Sequence, residues 1–379
     1  MPPSIFGLFA SFIAIASAVA LTLLLARRDL PLDMRRIGKA ALGVLVVLLS
    51  FTALGLVGPV RFRLFGVMQL VWLTSAVAVP LSSIAVLAQI KGGRATSRAA
   101  RWTAILGLGM VPTAIYGMVI EPNRLVVEVA EVAARTPLSE ELRIGVLSDI
   151  QCSTIGAHER EACARLMAEA PDIILIAGDL FQGSQGHFDR TRDDFIALLQ
   201  SLEAPGGVWV VRGDVDSNNA SRSFFDEITD EAGVRVLIDE HVRIMLRGQA
   251  IELYGYDRWG NDKRSLMEFL RSPRESGAAR IVLAHRPDPV LWLDESLDLD
   301  LFVAGHTHGG QVVIPFFGPP VTLSKVPREV GAGGMHRVHG VPIYVSRGVG
   351  MERGHAPRVR FFCPPEVAVV TLRSGPPQQ

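Results

Sequence analysis

The chain of 379 residues balances 38 basic against 38 acidic side chains, so it is long enough for more than one domain and carries no formal net charge. That balance offers no basic footprint for nucleic acid. Three cysteines (Cys152, Cys163, Cys363) make neither a disulfide framework nor zinc-ribbon spacing, and they read as small buried side chains.

Residues 1–120 hold four long apolar runs, at about 5–26, 40–60, 65–90 and 102–120. Each approaches the roughly 20 residues that a helix needs to cross a bilayer. A buried soluble helix would carry polar positions at helical spacing, and these runs barely do. The pattern predicts a transmembrane region of four helices over residues 1–120. The start, Met1-Pro2-Pro3-Ser4, lacks the basic region of a cleaved signal peptide. Basic residues cluster in the first connection (Arg27, Arg28, Arg35, Arg36, Lys39) and the third (Lys91, Arg94, Arg98, Arg101). By the positive-inside rule those two face the cytoplasm. Everything after residue 121 then falls on the outer face of a multi-pass cytoplasmic (inner) membrane protein.

Residues 121–140 read as a linker or a first strand, with Leu125–Val132 rich in valine. From 141 to 373 short β-rich runs alternate with amphipathic stretches. Strands are expected at Leu142–Leu147, Ile173–Ala177, Val208–Val211, Ile251–Tyr254, Ile281–Ala284, Leu299–Ala304, Val341–Val345 and Val367–Leu372. Helices are expected over 158–170, 190–202 and 263–272. This alternation argues an α/β domain whose ligands sit beyond the carboxyl ends of strands.

Five strand ends carry side chains competent to bind metal. They are Ser148-Asp149-Ile150-Gln151, Gly178-Asp179, Gly213-Asp214-Val215-Asp216, His285 and Gly305-His306-Thr307-His308. One strand-end aspartate is an ordinary helix cap or turn former. Five such ends, two of them bearing imidazole, point to metal.

In order and spacing these motifs resemble the calcineurin-like metallophosphoesterases, whose pattern is Asp-x-His, Gly-Asp, Gly-Asn-His-Asp/Glu, a lone His and Gly-His-x-His. The resemblance spans about 141–373, up to Arg360-Phe361-Phe362-Cys363-Pro364-Pro365-Glu366. The layout of helices followed by this domain is similar to the branch called transmembrane protein with metallophosphoesterase domain, related to the hydrolases of UDP-2,3-diacylglucosamine. The resemblance implies a four-layer α/β/β/α sandwich and a dinuclear phosphoesterase acting on a phosphate ester or diphosphate. Asp149, Gln151, Asp179 and His308 would hold one divalent ion. Asp179 would bridge, and Asp214, His285 and His306 would complete the second. Catalysis would run through Asp179, Asp214 and His306 by way of a metal-activated water. Manganese, iron or zinc suits such ligands, manganese best. The implied partners are a phosphorylated small molecule or lipid-linked substrate and the bilayer itself, with no nucleic acid.

Three departures from the family pattern shape the expectations. Gln151 stands where histidine is usual and offers a neutral oxygen. Asp214 stands where asparagine is usual; Asp149, Asp179 and Asp214 give −3 against +4 for two divalent ions, where the usual site has −2. The added charge predicts tighter metal binding and an alkaline-shifted optimum. Val215 occupies the place of a histidine that stabilises charge and protonates the leaving group, a service worth roughly 10²–10⁴-fold. His187, His355 and Asp216 are substitutes to consider, and Arg347, Arg358 and Arg360 could grip phosphate or lie solvated at the surface. Trp259 could flank a substrate. Val215 and Asp214 also open an alternative, a catalytically weakened metal-binding sensor or scaffold at the membrane.

Overall fold

A computed structural model describes residues 64–93, 96–217, 219–257, 263–352 and 356–374. The apolar runs at 5–26 and 40–60, together with Trp259 and His355, lie outside the described residues. The chain divides into two compact units, Met1–Ile120 with Glu352–Arg358, and Glu121–Met351 with Val359–Gln379.

In the first unit the run at 65–90 forms α1 (Leu64–Lys91), and α2 (Arg98–Leu108) follows. Ser97 caps α2 by accepting from the Ala100 N–H at 3.1 Å. The two helices approach closely at Gly107, where a Cβ would come within 2.2 Å of Ser83 Oγ. The run at 102–120 is not one unbroken α-helix. Pro112 lacks an N–H for the carbonyl four residues back, and the chain breaks into α2, α3 (Met110–Ile115) and a π-turn over Tyr116–Ile120. Two stretches, Val71–Lys91 and Arg98–Asn123, are long and apolar enough to cross a membrane, with mean hydropathy 1.9 and 1.7.

The second unit is a sandwich of two six-stranded sheets. The strands are β1 (Val126–Ala133), β2 (Leu142–Leu147), β3 (Ile173–Ile176), β4 (Val208–Val210), β5 (Arg235–Val236), β6 (Glu240–Leu246), β7 (Gln249–Tyr256), β8 (Ala279–Ala284), β9 (Leu301–Ala304), β10 (Gly334–Val338), β11 (Val341–Val345) and β12 (Glu366–Arg373). The first sheet runs β1-β12-β2-β3-β4-β5 and the second β10-β11-β9-β8-β7-β6. Neighbours β2, β3, β4 and β5 pair in parallel, as do β7, β8, β9 and β11. Parallel pairing is what brings successive strand ends to one edge.

Alternation along each strand explains the layers, because neighbouring side chains point to opposite faces. Ile173 and Leu175 pack with Ile281, Leu283, Leu301 and Val303 between the sheets. Ile174 and Ile176 face the other way, onto α4 (Ala157–Ala168), α5 (Gln185–Gln200) and α6 (Asn219–Ala232), where Leu166, Phe195, Phe225 and Ile228 are buried. Val282, Ala284 and Phe302 cover the outer face of the second sheet with Leu266 and Phe269 of α7 (Lys263–Arg271) and Val330 of α8 (Arg328–Gly331). The result is the α/β/β/α order. The hairpin β6–β7 turns on Arg247-Gly248, both at positive φ (48° and 80°), as a two-residue turn matched to strand twist requires.

Candidate metal centre

Strands β2, β3 and β4 carry carboxylates past their ends, and β8 and β9 carry imidazoles. Five of the seven residues singled out in the sequence sit in the left-handed region: Asp149 (φ 48°), Gln151 (39°), Asp179 (55°), His306 (71°) and His308 (49°). Each such residue costs roughly 1–2 kcal/mol and persists only where its surroundings hold it. Hydrogen bonds between adjoining loops do so here. The Asp149 N–H donates to Gly178 O at 2.9 Å, the Gln151 N–H to Asp179 O at 2.9 Å, and the Gly350 N–H to Asp149 O at 2.7 Å. Two glycines allow the loops to meet. A Cβ on Gly213 would lie 2.0 Å from Asp179 Oδ1, and one on Gly305 would lie 2.5 Å from Asp149 Oδ2.

The side chains converge in two overlapping groups. Ligand atoms of Asp149, Asp179 and His285 lie within 4.8 Å of one another, and so do those of Asp214, His285 and His306. His308 reaches the first group, with Nε2 3.7 Å from Asp149 Oδ1. Gln151 is fully buried in the loop after β2. His285 Nδ1 is 2.7 Å from Ala177 O, and a carbonyl only accepts, so Nδ1 carries the hydrogen. The lone pair of Nε2 therefore faces Asp179 Oδ2 at 3.5 Å, without a hydrogen bond of its own. Metal-binding histidines are oriented in this way. His306 is set similarly, with Nε2 3.4 Å from Leu323 O and Nδ1 3.4 Å from Asp214 Oδ2.

Burial makes this cluster costly without a cation. It pushes the Asp149 carboxyl up to about 7, helped by the Asp179 charge and opposed by His285, Ser148 and the His306 N–H. It pushes His306 down to about 3 and His308 well below the ordinary histidine value. Three carboxylates, three imidazoles with available lone pairs and one amide, gathered in a buried pocket of strained loops, fit two divalent cations.

The structure corrects several expectations. Asp214 is not an uncompensated extra charge, because Arg286 grips it through Nε (3.2 Å to Oδ1, 3.1 Å to Oδ2) and through Nη2 on Oδ2. Burial alone would raise the Asp214 carboxyl, but the hydrogen bonds and charge of Arg286 hold it below the usual carboxylate range. Adding Arg286 to the three aspartates gives −3 + 1 = −2, which removes the stated ground for an alkaline-shifted optimum. Asp216 is not placed to donate a proton. Buried, it accepts the backbone N–H groups of Asp179 (2.7 Å), Leu180 (3.0 Å) and Gly213 (2.9 Å), and so ties the β3 and β4 ends together. Val215 contributes through its backbone, whose N–H donates to Asp179 Oδ1 at 2.9 Å. His187 spends its hydrogen bond in the first turn of α5, with Nδ1 2.7 Å from Ser184 Oγ.

Arg347 and Arg360 are neither surface arginines nor phosphate clamps. Arg347 pairs with Glu366 and Glu128. Fully buried Arg360 donates to the carbonyls of Arg347 (2.7 Å), Gly348 (3.1 Å), Gly350 (2.6 Å) and Cys363 (3.1 Å), bracing the loop that backs Asp149. Arg358 is exposed. Arg286 escaped sequence reasoning because Arg286-Pro287 after His285 reads as an ordinary loop arginine. Its position directly beside the candidate ligand His285 was the available signal.

Residues 142–310 match the family model for calcineurin-like phosphoesterases. The metallophosphoesterase YkuE of Bacillus subtilis, itself described as uncharacterized, is 32% identical over 209 residues, covering 54% of this chain and 68% of the relative. The phosphodiesterase YaeI of Escherichia coli is 31% identical over 216 residues, covering 56% of this chain and 74% of the relative. The chain belongs to the calcineurin-like metallophosphoesterases. Its activity class is therefore a metal-dependent phosphoester hydrolase, as in a family that depends on two metals. Another relative, the uncharacterized metallophosphoesterase YkoQ of B. subtilis, is 27% identical over 237 residues, covering 59% of this chain and 84% of the relative.

Proposed function

We propose that this metallophosphoesterase is anchored in the cytoplasmic membrane by several helices and hydrolyses a lipid-linked phosphate ester or diphosphate at the outer face. The observation that carries the catalytic part is the pair of ligand groups joined at His285. Asp149, Gln151, Asp179 and His308 would hold one ion; Asp179, Asp214, His285 and His306 would hold the other. Manganese is favoured, because four oxygen-bearing side chains suit a hard cation. Bound divalent ions supply Lewis acidity and an activated water. The chain's own residues supply the rest. Ala177 O and Leu323 O aim the imidazole lone pairs, Val215 N–H and His306 N–H position the carboxylates, and burial restricts bulk water.

Two features support the membrane part. The stretches Val71–Lys91 and Arg98–Asn123 have the length and apolarity of spans. Leu323, whose carbonyl faces His306, is exposed, and so are Ile314, Phe316, Phe317 and Phe362, with Phe316 fully so. Such a surface suits a substrate carrying a lipid tail. The sensor alternative is not favoured, since all seven ligand positions keep coordinating atoms.

Full-length protein in detergent is expected to hydrolyse bis-p-nitrophenyl phosphate with manganese, and Asp179→Ala to reduce the rate roughly a thousandfold, because losing the shared carboxylate loosens the cations that would stabilise transition-state charge. No turnover with any divalent ion would favour the sensor. A C-terminal alkaline phosphatase fusion should be active outside the cytoplasm. Fluorescence from a C-terminal green fluorescent protein fusion instead would place the domain inside, where UDP-2,3-diacylglucosamine is within reach.

A further inference from the structure

Val215 leaves this site without the cationic N–H donor that the family's histidine supplies, and Arg286 stands next to the gap. Its guanidinium is fixed by Asp214, the residue preceding Val215, and both side chains remain partly open to solvent, 28% and 20% exposed. The same Asp214 oxygen that takes Arg286 Nη2 lies 3.4 Å from His306 Nδ1, so the guanidinium borders the ligand cluster directly. Asp214 engages Nε and one Nη2 hydrogen. Among the described residues no protein group takes Nη1, which leaves its two N–H donors available to a ligand.

We propose that Arg286 is the residue that binds the substrate's phosphoryl oxygen, held in place by Asp214, and that it replaces the charge-stabilising half of the missing histidine's work. A fixed guanidinium fork matches phosphate oxygens in geometry and charge. The other half of that work is not replaced, because an arginine keeps its proton at any working pH. This deepens the phosphoesterase reading above and rests on it. A water oxygen forms the new P–O bond, and its proton passes to solvent. The bond to the leaving oxygen breaks, and that oxygen departs with the electron pair and no proton. The substrate class is accordingly an ester of an acidic leaving group, such as a diphosphate or nucleotide, rather than a simple alkyl phosphate.

The test uses full-length, manganese-loaded protein and a series of aryl phosphodiesters from nitrophenol to phenol leaving groups. For the unaltered chain, kcat/KM should fall steeply as the leaving group becomes less acidic. Arg286→Ala should lose roughly 100-fold by the same factor across the series, bind inorganic phosphate more weakly in calorimetry, and keep its manganese content. Arg286→Lys should recover part of the phosphate affinity. Unchanged phosphate binding in Arg286→Ala, loss of manganese that accounts for the loss of rate, or a shallow dependence on leaving group in the unaltered chain would each overturn the proposal. If the unaltered chain turns over no ester with any metal, the phosphoesterase reading fails, while phosphate calorimetry still decides for or against Arg286. Thermal melts of each variant separate misfolding from a local effect.

Discussion

The two sheets contribute opposite halves of the candidate metal centre. The first, through β2, β3 and β4, supplies oxygen donors: Asp149, Gln151, Asp179 and Asp214. Three of its carboxylates, including the purely structural Asp216, are steadied by backbone N–H groups. The second, through β8 and β9, supplies His285, His306 and His308, two of them aimed by backbone carbonyls. The bracing crosses from sheet to sheet. His306 N–H serves Asp149, Ala177 O serves His285, and Arg286 from the second sheet neutralises Asp214 from the first. Neither half is a site alone, and the energetic stake lies in the seam.

The largest effect expected from breaking that seam is at Gly213. A Cβ there collides with Asp179 Oδ1 and, at 2.3 Å, with its backbone nitrogen. Gly213→Ala should cost about 3 kcal/mol in chemical unfolding, the upper end for overpacking, and should abolish metal binding. Retention of both would mean that the loops part more easily than their hydrogen bonding suggests.

A sharper comparison sets one sheet against the other. Asp179 would touch both ions and His306 only one. By plasma mass spectrometry Asp179→Ala should lose most of two bound manganese ions, whereas His306→Ala should lose about one. Equal losses would show that the sites fill as a single unit.

The smallest effect separates the sheets by pH. With Asp149 pushed up to about 7, the metal-free site holds a proton below that pH which an incoming cation must displace. Manganese affinity should therefore weaken as pH falls below about 7, roughly tenfold per unit for one proton. His306, pushed down to about 3, is already neutral there and adds no slope. Asp149→Asn should flatten the profile in calorimetry; a slope that survives it would assign the proton elsewhere.

Much of this was legible in the chain itself. The strands over Leu142–Leu147 and Val341–Val345 coincide with the structure, since short apolar runs bounded by Glu141 and Ser148 or by Gly340 and Ser346 are locally unambiguous. Others escaped. Helix α6 carries Phe224, Phe225 and Ile228 at helical spacing but begins in a polar stretch that resembles a loop. Strand β6 is an edge strand whose exposed alternation gives a weak signal. Arg360 and Arg347 looked like solvated cations because nothing local announces a buried partner such as Glu366.

What the sequence determined alone is which side chains stand at which strand ends, because strand alternation and the glycine-bounded turns are local properties. The tertiary structure decided what those side chains do. Asp216 became a clamp and Arg360 a brace, and Asp214 acquired a counter-charge 72 residues away. The reason is physical: burial and ion pairing depend on which strand ends are packed together, and no local pattern encodes that distance.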